Sequence, residues 1–171
     1  MVYFMKYVSS IMMVAVMAFA SLNMAAMSSN AASETIPFEQ LVTMIATGSH
    51  WHESNLTEIG LERLYRDSYE EEFGEAVLFV YGINAKAEVA EDWDVQLSSE
   101  GPHAYAIEVK LTTDNGTALY FKEKADHDAF MDCVRQSSYY SQDEYDEIIG
   151  ESLIEHDEYK NGWYVISFHI G

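Results

Sequence analysis

HAYAIEVKLTTDNGTALYFKE, residues 103–123, decides how this chain folds. Tyr105, Ile107, Val109 and Leu111 recur at every second position, with Glu108 and Lys110 between them. A period of two puts the first set on one face of a strand and the second set on the other. Asp114-Asn115-Gly116 then marks a reversal, because Asn-Gly tolerates the positive φ that a tight hairpin turn requires. Thr117 to Glu123 reads as the returning strand. An antiparallel hairpin therefore lies at the middle of the chain.

The flanks extend the pattern in both directions. Ala76–Tyr81 is a continuous apolar run, as expected of a strand covered on both faces. Leu61–Tyr69 is expected to enter it as a strand. Ala87–Leu97 alternates, with Val89, Trp93, Val95 and Leu97 on one side, and is expected to form one more. Further upstream, Phe38, Leu41, Val42 and Ile45 predict a helix over 37–47, with Pro37 in its first turn and Gly48 at its stop. A shorter helix is expected from Ser54 to Ile59, closed by Gly60. Downstream, a helix is expected from Asp126 to about Ser137. Asp126 and Asp128 complement its dipole, and Phe130, Cys133 and Val134 form its apolar stripe. A short helix is expected over Gln142–Ile149, ending at Gly150. A strand over Glu151–Glu158 and a turn at Asn161-Gly162 then lead to a last strand, Trp163–Ile170.

Residues 38–82 and 126–171 thus read alike: helix, short helix, glycine, strand, strand. An offset of 90 residues places Gly60 on Gly150, Asp67 on Asp157 and Tyr69 on Tyr159. The expected fold class is α+β: an antiparallel sheet of about five to seven strands with helices on one face, built as two α-α-β-β repeats. In element order this arrangement is similar to the β-lactamase inhibitory proteins. The likeness implies an architecture and assigns no residue a role.

The N-terminus follows a different logic. Lys6 is the only charge in the first 33 residues, and the apolar run Tyr7–Ala20 follows it. A stretch of small residues comes next. Positive, apolar and small, in that order, is the build of a secretory signal. The apolar run falls short of the roughly 20 residues a spanning helix needs. Cleavage is expected after Ala32, with Ala20 and Ala26 as the other candidate positions, because acidic sequence starts at Glu34. Residues 1–32 are thus read as a cleaved leader and 33–171 as one exported acidic α+β domain, periplasmic or extracellular, with no membrane span after cleavage.

The chain carries 29 acidic residues, six histidines and one cysteine, and without Lys6 the basic residues number eight. The domain behind the leader has a net charge of −21 on that count. Such a surface repels phosphates, so nucleic acid is not an expected partner. It attracts a basic protein. The single Cys133 forms no intramolecular disulfide and sits on an apolar stripe, where a thiol acts as a small core residue.

Two clusters stand out as candidate sites. Tyr139, Tyr140, Asp143, Glu144, Tyr145, Asp146 and Glu147 combine aromatic anchors with carboxylates, the pairing expected of a surface that captures a basic partner. His50 and His52 lie two residues apart, and on an extended segment they would share a side and begin a metal site. No P-loop, nucleophile elbow or zinc-protease motif occurs, and no cofactor is implied. The expected function is an exported protein-binding module, of inhibitor or immunity type, for a basic partner. The other readings are a metal-binding exported protein using His50 and His52, and a small hydrolase acting in a concave pocket.

Overall fold

A computed structural model describes residues 37–71, 74–112 and 115–170 of the chain. The expected leader lies outside the described residues. From Pro37 onward the chain forms one compact unit. Helix α1 spans Phe38–Ala46. A 3-10 turn at Ser49–Trp51 leads into the short helix α2, Glu53–Glu58. Strands β1 (Glu62–Glu71) and β2 (Gly74–Ile83) form a long hairpin. Next come β3 (Ala85–Val89), β4 (Val95–Ser99), β5 (Tyr105–Leu111) and β6 (Gly116–Phe121). Helix α3 covers Lys124–Gln136. The chain continues through β7 (Tyr140–Gln142), β8 (Glu147–Ile149), β9 (Ser152–Lys160) and β10 (Trp163–Ile170).

Among the described residues the main sheet runs β1-β2-β5-β6-β10-β9-β8-β7, antiparallel throughout. The fold is α+β. The central pair is the expected hairpin, with Tyr105 opposite Phe121, Ile107 opposite Leu119 and Val109 opposite Thr117. The Thr112 N–H donates to the Asn115 side-chain oxygen at 3.0 Å where the chain reverses.

Each face of the sheet has its own cover. On one face, Phe38 of α1 meets Tyr105, Phe121 and Phe130 of α3 edge-on, at 6.4, 5.8 and 5.7 Å between ring centres. Phe130 also meets Phe168 of β10 at 6.4 Å. Glu53 at the start of α2 accepts from the Tyr81 hydroxyl and from Arg66, both at 2.9 Å, which fixes the short helix to β1 and β2. On the opposite face, Leu78, Val80 and Ala106 pack against Ala87, Val89, Val95 and Leu97. These come from a two-stranded hairpin, β3–β4, folded back over the sheet.

That hairpin corrects one expectation. Ala87–Leu97 is two strands, not one. The Ala90 N–H donates to Asp94 O and the Trp93 N–H to Ala90 O, with Trp93 at φ 59°. A left-handed tryptophan is costly backbone. It is held by the Tyr69 ring, 4.9 Å away, and by its indole N–H donating to Asp67 at 3.2 Å. The second correction is at Gln142–Ile149, which is not a helix. Tyr140–Gln142 and Glu147–Ile149 pair as a small hairpin, because β-branched and aromatic residues flank a polar turn. These two short strands carry the sheet past the expected five to seven.

The internal echo therefore holds in its long hairpins and differs in what precedes them, α2 in one half and β7–β8 in the other. Gly60 and Gly150 occupy corresponding places and both have positive φ, 90° and 62°. Their surroundings differ. A Cβ at Gly60 would meet open space, whereas one at Gly150 would run into the backbone of Ala46 at the end of α1. Gly60→Ala should cost about 1–2 kcal/mol from backbone conformation alone. Gly150→Ala adds an overpacking cost of about 1–3 kcal/mol. Urea unfolding of both variants should show the larger loss at Gly150, and equal losses would contradict this packing.

Candidate functional site

The β7–β8 hairpin presents the expected acidic tyrosine cluster as a protruding tip. The Asp143 N–H donates to Asp146 O at 2.9 Å and closes the turn. The Glu144 N–H donates to the Asp143 carboxylate at 2.8 Å. Tyr145 stands at the turn with 86% of its surface exposed, its hydroxyl donating only to Glu144 at 3.0 Å. Asp143, Glu144 and Asp146 surround it, all exposed, and Tyr139 is exposed at the base.

Two members of the cluster have other work. The Tyr140 hydroxyl donates to Glu147 at 2.9 Å, and Arg135 of α3 donates to the same oxygen at 3.3 Å. Both residues serve to fasten the hairpin to α3. The tip that faces solvent is Tyr139, Asp143, Glu144, Tyr145 and Asp146.

The histidine pair is drawn apart by the 3-10 turn. His50 is buried, with Nδ1 3.1 Å from Met44 O and Nε2 2.8 Å from the Thr117 hydroxyl. With Nδ1–H donating to the carbonyl, Nε2 accepts from Thr117, so the neutral ring satisfies both neighbours. His52 is exposed at the start of α2. Among the described residues no group of three or more His, Cys, Asp and Glu is placed to hold a metal ion. Cys133 is half-buried, and burial, with Glu39 and Asp132 nearby, raises its thiol above the ordinary value. No helix among the described residues is long and apolar enough to cross a membrane.

Sequence reading missed a cleft of about 450 Å³ between β4 and the uncovered half of the sheet. Val95 and Leu97 of β4 form one wall, and Tyr120, Val165, Ser167 and Trp163 lie on the sheet. Glu108 is buried here, 6% exposed. One of its oxygens accepts from the Tyr120 hydroxyl at 2.6 Å, and the other pairs with Lys110 at 2.8 Å. Burial, then the Glu108 charge and hydrogen bond, and then Asp94 and Glu158, hold the Tyr120 phenol well above its ordinary value. The alternation around Glu108 and Lys110 did indicate a polar face. It gave no hint that β3–β4 folds over that face and turns part of it into a cleft.

Comparison with protein-family models, with curated proteins and with solved structures finds no match.

His50 generates a pH-dependent stability. Burial lowers its pKa from 6.5 to about 4, against an opposing hydrogen bond to Met44. The unfolded chain takes up this proton near 6.5 and the folded chain near 4. The contribution is full above pH 6.5 and is lost as pH falls from 6.5 towards 4, reaching about 3 kcal/mol. The many carboxylates also titrate near the lower end, so the measurement is a difference. His50→Asn should show a smaller loss between pH 7 and pH 4.5 in denaturant titrations than the parent. Equal losses would mean that His50 is not held neutral.

Proposed function

We propose that this protein is an exported, acidic protein-binding module whose partner is a basic protein, of the kind an inhibitor or immunity protein meets. The observation that carries the reading is Tyr145. It is a large aromatic side chain held almost wholly in solvent, on a short turn whose flanking residues are carboxylates. Among the described residues its one hydrogen bond is to its neighbour Glu144, so it is not tied to the rest of the fold. Burying such a ring against a partner stabilises a complex by about 1.5–3 kcal/mol, and aromatic anchors dominate interface energetics. The carboxylates Asp143, Glu144 and Asp146, backed by a domain of net charge −21, speed encounter with a positive surface. The tip is also cheaply ordered, because its turn closes on its own backbone and its base is fixed by Tyr140, Glu147 and Arg135. Export is inferred from the order of charge, apolar run and small residues at the N-terminus.

The test places a photo-cross-linking residue, p-benzoylphenylalanine, at position 145 of the exported protein, with Glu88 on β3 as the control position. The expected adducts at 145 are basic proteins. Their yield should fall as salt rises from 50 to 500 mM. Tyr145→Ala should weaken the captured complex at least about 10-fold without lowering the unfolding midpoint. Adducts at 145 that match those at 88, or capture indifferent to both salt and Tyr145→Ala, would overturn the reading.

A further inference from the structure

The cleft beneath β4 has a chemistry separate from that of the tip. Its charged lining is Asp94, Glu108 and Glu158 against Lys110 and Lys160, so carboxylates outnumber ammonium groups. Glu108 is already engaged on both oxygens, by Tyr120 and Lys110. Each of its oxygens thus already has a partner. Asp94 and Glu158 are different: both are exposed, one on each side of the cleft, on β4's approach and on β9. The Tyr120 hydroxyl, having donated its proton to Glu108, turns an acceptor lone pair to whatever lies beside it. The lining is polar for the most part, with Gln96, Asn161 and Ser167 beside the charged groups, and Val95, Leu97 and Val165 supply an apolar strip within it. The ring of Trp163 is closed to a ligand cation, since Lys122 already lies over it at 5.5 Å and its N–H donates to Leu97 O.

We infer that this cleft binds a small organic cation, an alkylammonium or guanidinium, with the charged head between Asp94, Glu158 and the Tyr120 oxygen and its carbon chain on Val95, Leu97 and Val165. Three features select this class. An anion would face the carboxylate excess. A bare metal ion would need several carboxylate oxygens converging within about 2.6 Å, and among the described residues no group of three or more such ligands is placed for one. An apolar wall contributes nothing to an inorganic ion, but stabilises an alkyl chain at about 0.8 kcal/mol per buried methylene. The cleft is also within the volume range of small-molecule sites, about 300–1,000 Å³. The same head group occurs on free diamines and at the ends of lysine and arginine side chains.

The test is a titration of the isotope-labelled protein, followed by amide shifts, with two probes: cadaverine and N-acetyl-lysine amide. Potassium chloride at matched ionic strength is the control. The expected result is saturable shifts confined to Val95, Leu97, Tyr120, Val165 and Ser167. The tighter probe tells a free amine from a peptide-borne side chain. Asp94→Asn with Glu158→Gln should weaken binding at least 10-fold. Both positions are exposed, so the variant should fold as the parent does. Asp143→Asn with Glu144→Gln, at the tip, should leave the cleft's affinity unchanged, which keeps this outcome separate from that of the tip. Shifts no greater than the salt control gives, or binding that survives the cleft double variant, would overturn the inference.

Discussion

The stacked pair of Tyr105 and Phe121, 6.2 Å apart and 13° from parallel across β5 and β6, is the contact on which the other layers depend. Phe38 meets both rings, and Phe130 meets Phe121 at 5.5 Å. Through these four rings two helices far apart in the sequence share one seat on the sheet. The same strands supply the opposite face. Ala106 and Tyr120 alternate with the stacked residues and receive the β3–β4 hairpin. Two strands with period-two alternation therefore organise three layers: helices, sheet and hairpin arm. Removing a ring from this cluster would leave a cavity bordered by every layer on that side, the kind of change that costs about 3–5 kcal/mol.

The distribution of charge follows from this centre. The carboxylates are carried outward to turns and edges, where solvent keeps them hydrated. Two of the polar side chains taken inside are well engaged, whereas the buried Tyr105 hydroxyl has no hydrogen-bond partner among the described residues. His50 reaches a carbonyl and Thr117, and Glu108 reaches Tyr120 and Lys110. Each is stabilising only while its partners remain, because an unpaired buried polar group costs about 1–3 kcal/mol. The β7–β8 tip is the reverse case. It adds little to the core beyond Ile149, and its exposed face carries an aromatic ring and three carboxylates.

Much of this architecture was legible because local and global preferences agreed. The β5–β6 hairpin, β10 and α1 stand within a residue or two of where periodicity put them, since each has one face that must be buried. The Asn161-Gly162 turn was readable for a related reason: both residues take positive φ, 53° and 82°. The failures share a cause. Over Gln142–Ile149 and Ala87–Leu97 a short apolar pattern fits either a helix or a strand, or one strand or two, and tertiary pairing decides. His50 shows the same limit at a candidate site. A spacing of two suggests a shared ligand only if the segment is extended, and here a 3-10 turn sends one ring inward and leaves the other outside. The cleft was illegible because it is made by strands far apart in sequence, β4 against β6 and β10. Glu108 gave no sign in the sequence that it would be buried.

Native-state hydrogen exchange tests the central claim, that a rigid β5–β6 centre carries more loosely held edges. The amides of Ile107, Val109, Leu119 and Phe121 should exchange only through global unfolding, with the free energy that denaturant titration gives. Those of Glu144 and Tyr145 should exchange close to the unprotected rate. Central amides that exchange through a low-energy local opening, or a tip as protected as the centre, would contradict the account.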